Sequence, residues 1–332
     1  MSNAYHQVRL EDDSVQYNAI NTGDLGSYHI RVMLQGDTNA PATMMRVMNT
    51  ILAEYIGKFV WVYLDDIMIF SQSYDDHMRH LSLVFKKLSE NKFFLKMNKC
   101  QLLVPQLKLL GHIIEGNKIR PHPEKIRKIL DWKEPTNKKD LLMFLGVVNY
   151  ISPHLPHYAT ISSPLTELTG NVDWRWDTLH QTTFDTIKRA CENSISTTPI
   201  NYQDVAERKE KVFLITDVSR VGVGAFLCHG PDLESAKKNI AALHSRKFNN
   251  AQQNYHTTDQ ELLAIIDALQ TFESKLLGIK FTIVTDHKAL EYVQNRTIHN
   301  ARIVRWMDFI QRFNFNILHT PGRKNILADA LS

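Results

Sequence analysis

The 332-residue sequence predicts a multidomain chain that is α+β in its first part and mixed α/β in its last. Three observations carry this. The length exceeds what one compact core normally serves. Strand-like and helical runs interleave over residues 1 to 110, and after residue 211 a new alternation of strands and long helices begins. At 43% hydrophobic and 22% charged residues the composition is that of an ordinary globular protein.

In order along the chain, "YHIRVML" (28–34) reads as a strand, and "NAPATMMRVMNTILAEYI" (39–56) places apolar residues at 44, 47, 48, 51, 52 and 55, the spacing of a helix. "FVWVYLDDIMIF" (59–70) sets Asp65 and Asp66 inside an apolar, β-branched run. Runs of this kind favour strands, so a hairpin with the two acids at its tip is expected. Taken alone, the pair is the polar turn that a hairpin needs. From 111 to 168 a helical pattern dominates, with "EKIRKILDWK" and "KKDLLMFLGVVNYI" separated by Pro135. Trp132, Phe144 and Tyr150 fall at helical spacing and read as core. Between 118 and 139 stand eight basic residues (Lys118, Arg120, Lys125, Arg127, Lys128, Lys133, Lys138, Lys139) against three acidic ones (Glu124, Asp131, Glu134). A solvated helix face and a phosphate-binding face explain such a run equally well. Residues 169–210 lose this periodicity and read as a connector with one helix, in which Trp174 and Trp176 serve as anchors.

From 211, "KVFLITDVSRVGVGAFLCHG" reads as two strands, "AALHSRKF" as a third, "TTDQELLAIIDALQTFESKLLG" as a long helix and "IKFTIVTDH" as a fourth strand. "ARIVRWMDFIQRF" follows as a helix, "FNILHT" as a strand and "NILADALS" as a helix start.

Three widely spaced cysteines without Cys-x-x-Cys spacing indicate neither a disulfide framework nor a zinc site. No apolar run reaches membrane-spanning length and the N-terminus lacks a signal-peptide pattern, so an intracellular, cytoplasmic and non-secreted protein without a membrane partner is expected. The net charge of +4 permits a nucleic-acid partner.

Four acids of the C-terminal block occupy unusual places. Asp217 ends "VFLITD" and Asp286 ends "FTIVTD", each after a run that reads as buried. Glu261 completes a Thr258-Asp259-Gln260-Glu261 capping-box pattern, yet lies on the stripe continued by Ile265, Leu269, Phe272 and Leu276. Asp329 follows "TPGRKN" and can be a helix-dipole partner. Together they form an all-oxygen set suited to Mg²⁺, with Mn²⁺ an alternative, and paired ions of this type hydrolyse phosphodiesters. The histidines in these motifs, His112, His244 and His287, are read as packing or hydrogen-bonding residues.

"AYHQ", "NAPATMMRVMN", "YLDDIMIFS", "LGH" (110–112), "FLGVVNYI", "SRKF", "ELLAII", "TDHKAL" and "PGRKNILADALS" together resemble, in order and over essentially the whole chain, the reverse transcriptase and ribonuclease H portion of gypsy-type LTR retrotransposon polyproteins. The resemblance implies a partial polymerase palm at 1–110, a helical thumb at 111–168, a connector at 169–210 and a ribonuclease H-like domain at 211–332. Asp65 and Asp66 then match the polymerase metal-binding carboxylates, Tyr5 and Gln35 the nucleotide pocket, and Leu110, Gly111 and His112 the primer-gripping loop. Asp217, Glu261, Asp286 and Asp329 match the four ribonuclease H carboxylates and metal ligands. Lys118, Arg120, Lys125, Arg127 and Lys128 gain a role in neutralising duplex phosphates. Implied partners are an RNA/DNA hybrid, template-primer nucleic acid and dNTPs, in the cytoplasm or in retroelement particles with access to the nucleus.

Two departures matter. A third polymerase carboxylate, five residues before Tyr5, would precede Met1, as would the fingers, so RNA-directed DNA polymerisation by this chain is expected to be impaired and ribonuclease H activity retained. "VMLQGD" replaces the family's Pro-Phe-Gly-Leu run. The competing expectations are an inactive nucleic-acid-binding remnant and, from "LITDVSRVGVG", an actin-like ATPase domain.

Overall fold

The computed structural model describes residues 3–219, 222–286 and 301–320. The chain divides into two compact units, Met1–Val104 and Pro105–Ser332.

The first unit is built on helix α1 (Ala40–Ile51), entered through Pro41 in its first turn. Met44, Met48 and Leu52 are fully buried. Val47, Ile51 and Tyr55 pack around them, so all six expected apolar positions lie on the core side. Strands β1 (Val60–Tyr63) and β2 (Asp66–Ile69) form the expected antiparallel hairpin, with Tyr63 opposite Asp66. Helix α2 (Tyr74–Glu90) follows, capped by Ser73, whose Oγ accepts the Asp76 N–H at 3.1 Å. The strand expected at 28–34 is shorter than its pattern. Only Ser27–His29 pairs, with Ala19–Asn21, and Val32 adds an isolated bridge to Arg9. The turn at Leu34–Asp37, in which the Leu34 N–H donates to Asp37 Oδ2 at 2.9 Å, ends it.

The second unit opens with an antiparallel meander that the helical reading of 111–168 did not anticipate: β3 (Gln106–Leu109), β4 (His112–Glu115) and β5 (Lys118–Pro121). Each strand has four residues, and QLKL, HIIE and KIRP mix charges and a proline with their apolar residues, so no apolar run marks them. The signal available was Gly116-Asn117, a two-residue turn with Gly116 at φ 57°. The expected helices then follow as α3 (Pro123–Leu130) and α4 (Lys138–Ile151). With α5 (Tyr158–Leu168) and α6 (Thr178–Glu192) they enclose a core of Ile129, Leu141, Phe144, Val148, Leu165, Phe184 and Ile187. Trp132, Trp174 and Trp176 pack half-buried on this core. The stretch read as a one-helix connector also contains a second short helix, Tyr202–Ala206.

Five strands form the last sheet: β6 (Lys211–Val218), β7 (Gly222–Gly230), β8 (Ile240–Lys247), β9 (Lys280–Thr285) and β10 (Asn314–His319), in spatial order β8-β7-β6-β9-β10. The first three are antiparallel, while β9 runs parallel to both β6 and β10. Helix α7 (Thr257–Thr271) lies on the sheet through Leu262, Ile265, Ile266 and Leu269, all fully or nearly fully buried. Helix α8 (Ala301–Ile310) completes this core with Ile310.

Candidate nucleic-acid and catalytic sites

Alternation along the hairpin turns Val60, Val62, Ile67 and Ile69 toward the core of the first unit. Trp61, Tyr63 and Phe70 are left exposed on its other face, with Trp61 edge-on to Phe70 at 5.4 Å. At the tip, Leu64 adopts φ 53° and its N–H points at Met45 Sδ of α1, 2.9 Å away. The turn is therefore fixed from beneath, with Asp65 half-buried beside it and Asp66 exposed at the start of β2. Tyr5 packs half-buried on the same core. Gln35 is exposed in the turn before Gly36, whose φ of 111° is left-handed.

In the second unit the Leu110–Gly111 turn between β3 and β4 is left-handed at both residues, φ 45° and 72°. The His112 Nδ1–H donates to the Leu110 carbonyl at 3.2 Å and lies 3.2 Å from the Tyr150 hydroxyl. Lys125 sits 4.2 Å above the Tyr150 ring, and a Cβ on Gly111 would come within 2.7 Å of Lys125 Cε. Gly111 is thus required by its backbone angle, while the Lys125 side-chain end beside it can give way. Tyr150 is a correction to the sequence reading. It is 39% exposed and faces this turn instead of the core. Burial, opposed by the Leu110 bond and reinforced by Lys125, holds the His112 imidazole below its ordinary pKa. Of the basic residues, Lys118, Arg127 and Lys128 are exposed, Arg120 is 3.5 Å from Glu115 and Lys125 is engaged with Tyr150.

Three of the four C-terminal acids converge. Asp217 lies at the end of β6, Asp286 directly follows β9, and the parallel register pairs Ile215 with Val284, two residues before each acid. Helix α7 delivers Glu261 to the same end. Asp217 and Glu261 are buried, 5% and 6% exposed. Burial first, then the Asp286 and Asp217 charges, push the Glu261 carboxyl up to about 8. Among the described residues, Glu261 Oε2 and Asp286 Oδ1 are buried without a hydrogen-bond partner. Such orphaned hard oxygens are costly unless a cation or proton satisfies them, so this donor set fits a divalent metal. Among the described residues, no group of three or more His, Cys, Asp or Glu side chains stands in metal-ligand geometry. Asp329 lies outside the described residues.

Neighbouring residues that the sequence did not reveal brace this centre. Asp259 accepts from Arg302 Nη2 at 2.6 Å, and the Arg302 guanidinium stacks 3.9 Å over Tyr255, fastening α8 to the first turn of α7. No helix among the described residues is long and apolar enough to cross a membrane.

One unit thus carries a pair of acids on a hairpin tip, and the other carries convergent acids on a mixed five-stranded sheet. Residues 1–114 match the reverse transcriptase (RNA-dependent DNA polymerase) family, and residues 207–313 match the RNase H-like domain found in reverse transcriptase. The chain has Pol polyproteins of retrovirus-related transposons among its relatives. It is 33% identical over its full length to the Pol polyprotein of transposon 297 from Drosophila melanogaster, spanning 30% of that protein. Against the transposon Tf2-3 polyprotein of Schizosaccharomyces pombe it is 34% identical over its full length, spanning 25% of that protein. The chain therefore spans about a third or less of the length of these relatives. In fold, 96% of it superposes on 56% of a foamy viral protease-reverse transcriptase solved with double-stranded DNA, with a TM-score of 0.84 at 20% identity. A second foamy viral structure, solved with an RNA/DNA hybrid, covers 98% of the chain with a TM-score of 0.81.

Proposed function

We propose that this chain binds template-primer and RNA/DNA hybrid and hydrolyses the RNA strand at the Asp217, Glu261 and Asp286 centre, with Asp329 as the fourth carboxylate. The observation that carries the reading is the convergence of three acids with two orphaned buried oxygens. Asp217, Glu261 and Asp286 would hold Mg²⁺ or Mn²⁺, which supplies an activated water and charge stabilisation at the scissile phosphate. The protein's own contribution is to bring Asp217 and Asp286 from adjacent strand ends and Glu261 from α7 together against a dry core, so that their buried oxygens would be satisfied by a cation.

Asp65 and Asp66 are the corresponding pair for nucleotidyl transfer, presented by a turn anchored on α1. Tyr5 and Gln35 are assigned to the incoming dNTP. The Leu110–His112 turn contacts the primer strand, and Lys118, Arg127 and Lys128 neutralise backbone phosphates, with Arg120 and Lys125 beside them.

The test is cleavage of an end-labelled RNA/DNA hybrid by the purified chain with Mg²⁺, beside Glu261→Gln and beside primer extension with and without Asp65→Asn. RNA cutting abolished by Glu261→Gln is the expected result. Cutting that Glu261→Gln leaves intact would overturn the assignment of the hydrolytic centre. Hybrid binding with neither activity would reduce the role to nucleic-acid binding.

A further inference from the structure

A cavity of about 600 Å³ opens at the end of the last sheet remote from its acids. Val212 near the start of β6 and Phe281 near the start of β9 form its floor, with Ile279 and Val205 of the short helix Tyr202–Ala206 beside them. β6 and β9 run parallel, and Asp217 and Asp286 stand at their far ends. Asp217 lies five positions beyond Val212, roughly 17 Å at about 3.3 Å per residue, so the cavity and the hydrolytic centre are separate sites.

Tyr202 walls the cavity on one side. Its hydroxyl donates to the Lys275 carbonyl at 3.2 Å, which holds the ring in place while 46% of the residue stays exposed. A fixed, half-open aromatic ring beside an apolar floor is a stacking platform for a flat heterocycle. On the sheet, Thr282 of β9 and Asn316 of β10 are register partners, and both line the cavity. Neither side chain makes a hydrogen bond among the described residues. The Asn316 amide offers a donor and an acceptor side by side, the complement of the amino and N7 edge of adenine, whereas guanine presents two acceptors there.

The rim is cationic. Arg208, Lys211 and Lys280 are exposed along it, and Arg208 and Lys280 form no ion pair among the described residues. Glu210 also lines the cavity, but its Oε2 is engaged by His229 Nδ1 at 2.6 Å. The mouth is thus left with uncompensated positive charge suited to phosphate oxygens. The geometry points to a binding site for an adenosine phosphate, its base stacked on Tyr202 and read by Asn316 and Thr282, its phosphates held by Arg208 and Lys280. The site is independent of the proposed hydrolysis, and its own groups bind the nucleotide without a metal. Arg208 also makes the folding control simple. It holds a left-handed backbone, φ 59°, at the end of the short helix, a conformation that Asn adopts more readily.

The experiment titrates ADP carrying a fluorescent N-methylanthraniloyl group on its ribose into the full chain. EDTA is present, which silences metal-dependent nucleotide binding at Asp65 and Asp66. The label is then displaced with ADP, GDP, tripolyphosphate or decanoate. Arg208→Asn, Lys280→Gln and Asn316→Leu are measured beside the parent, each with its thermal denaturation. ADP should displace the label at least roughly fivefold better than GDP, the discrimination expected of one bidentate base contact. Asn316→Leu should erase that preference. Arg208→Asn and Lys280→Gln should each weaken binding several-fold, with the Tm of Arg208→Asn unchanged or raised. Absence of saturable binding, equal binding by Arg208→Asn and the parent, or displacement by tripolyphosphate or decanoate as effective as by ADP overturns the site.

Discussion

Replacing Glu261 by Gln should stabilise the protein at alkaline pH while abolishing hydrolysis. In the fold the Glu261 carboxyl titrates at about 8 against an ordinary 4.5, because it is buried and faces Asp286 and Asp217. A raised acid pKa means that the folded state holds the proton more tightly. The associated stability is complete below pH 4.5 and is lost as the pH rises through about 8. At 1.36 kcal/mol per pH unit, the ionised carboxylate costs at most roughly 5 kcal/mol. Gln removes this charge at every pH. In thermal denaturation the variant should match the parent near pH 5 and exceed it at pH 8 to 9 by several degrees, since about 1 kcal/mol shifts Tm by 2–4 °C in a unit of this size. Mg²⁺ should raise the Tm of the parent at pH 8 more than that of the variant, because only the parent offers the cation an ionised Glu261. Destabilisation of Glu261→Gln by the same amount at pH 5 and pH 9, or equal stabilisation of both proteins by Mg²⁺, would refute this account of the carboxyl.

Three further outcomes are expected. Gly111→Ala meets a left-handed backbone and displaces the Lys125 side-chain end, so it should strain the turn by about 1–3 kcal/mol and weaken hybrid binding, as measured by fluorescence anisotropy. The buried His154, held down to about 4 chiefly by burial, withdraws stability as pH falls from 6.5 through 4, up to roughly 3 kcal/mol, and His154→Gln should flatten that part of the denaturation profile. Replacing Arg127 and Lys128 together by Ala should lower hybrid affinity and reduce the slope of log K against log salt by about 0.9 for each phosphate no longer neutralised, leaving the slope unchanged if neither touches the duplex.

Much of the architecture was legible because it is locally encoded. The 3.6-residue period of Met44, Met48 and Leu52 places one face of α1 inward whatever it packs against, and the β-branched runs around Asp65 and Asp66 can only be strands with a polar tip. The same holds for β6, β7, β9 and α7. Their apolar lengths exceed a full turn or several pleats, so their patterns stand clear of chance. The meander β3–β5 escaped because its strands, QLKL, HIIE and KIRP, are broken up by charged residues and a proline, whereas the equally short β1 and β2 lie in a long apolar run. Tyr150 escaped for a different reason. Its helical spacing is real, yet at the end of α4 the stripe runs past the core and the ring turns to His112 and Lys125.

What the sequence determined by itself was which residues are acids at strand ends, which stripes are apolar and in what order the elements come. The tertiary structure alone decided that β9 returns parallel beside β6, so that Asp286 comes level with Asp217, and that α7 lays Glu261 against both. It alone decided that residues 195–198, without any pattern of their own, join two sheets through backbone bonds. The division has a physical cause. Periodicity records which face of an element avoids water, a property each segment carries alone. Register between distant strands and the pairing of backbone groups depend on how those faces are stacked, and every residue type carries the same N–H and C=O.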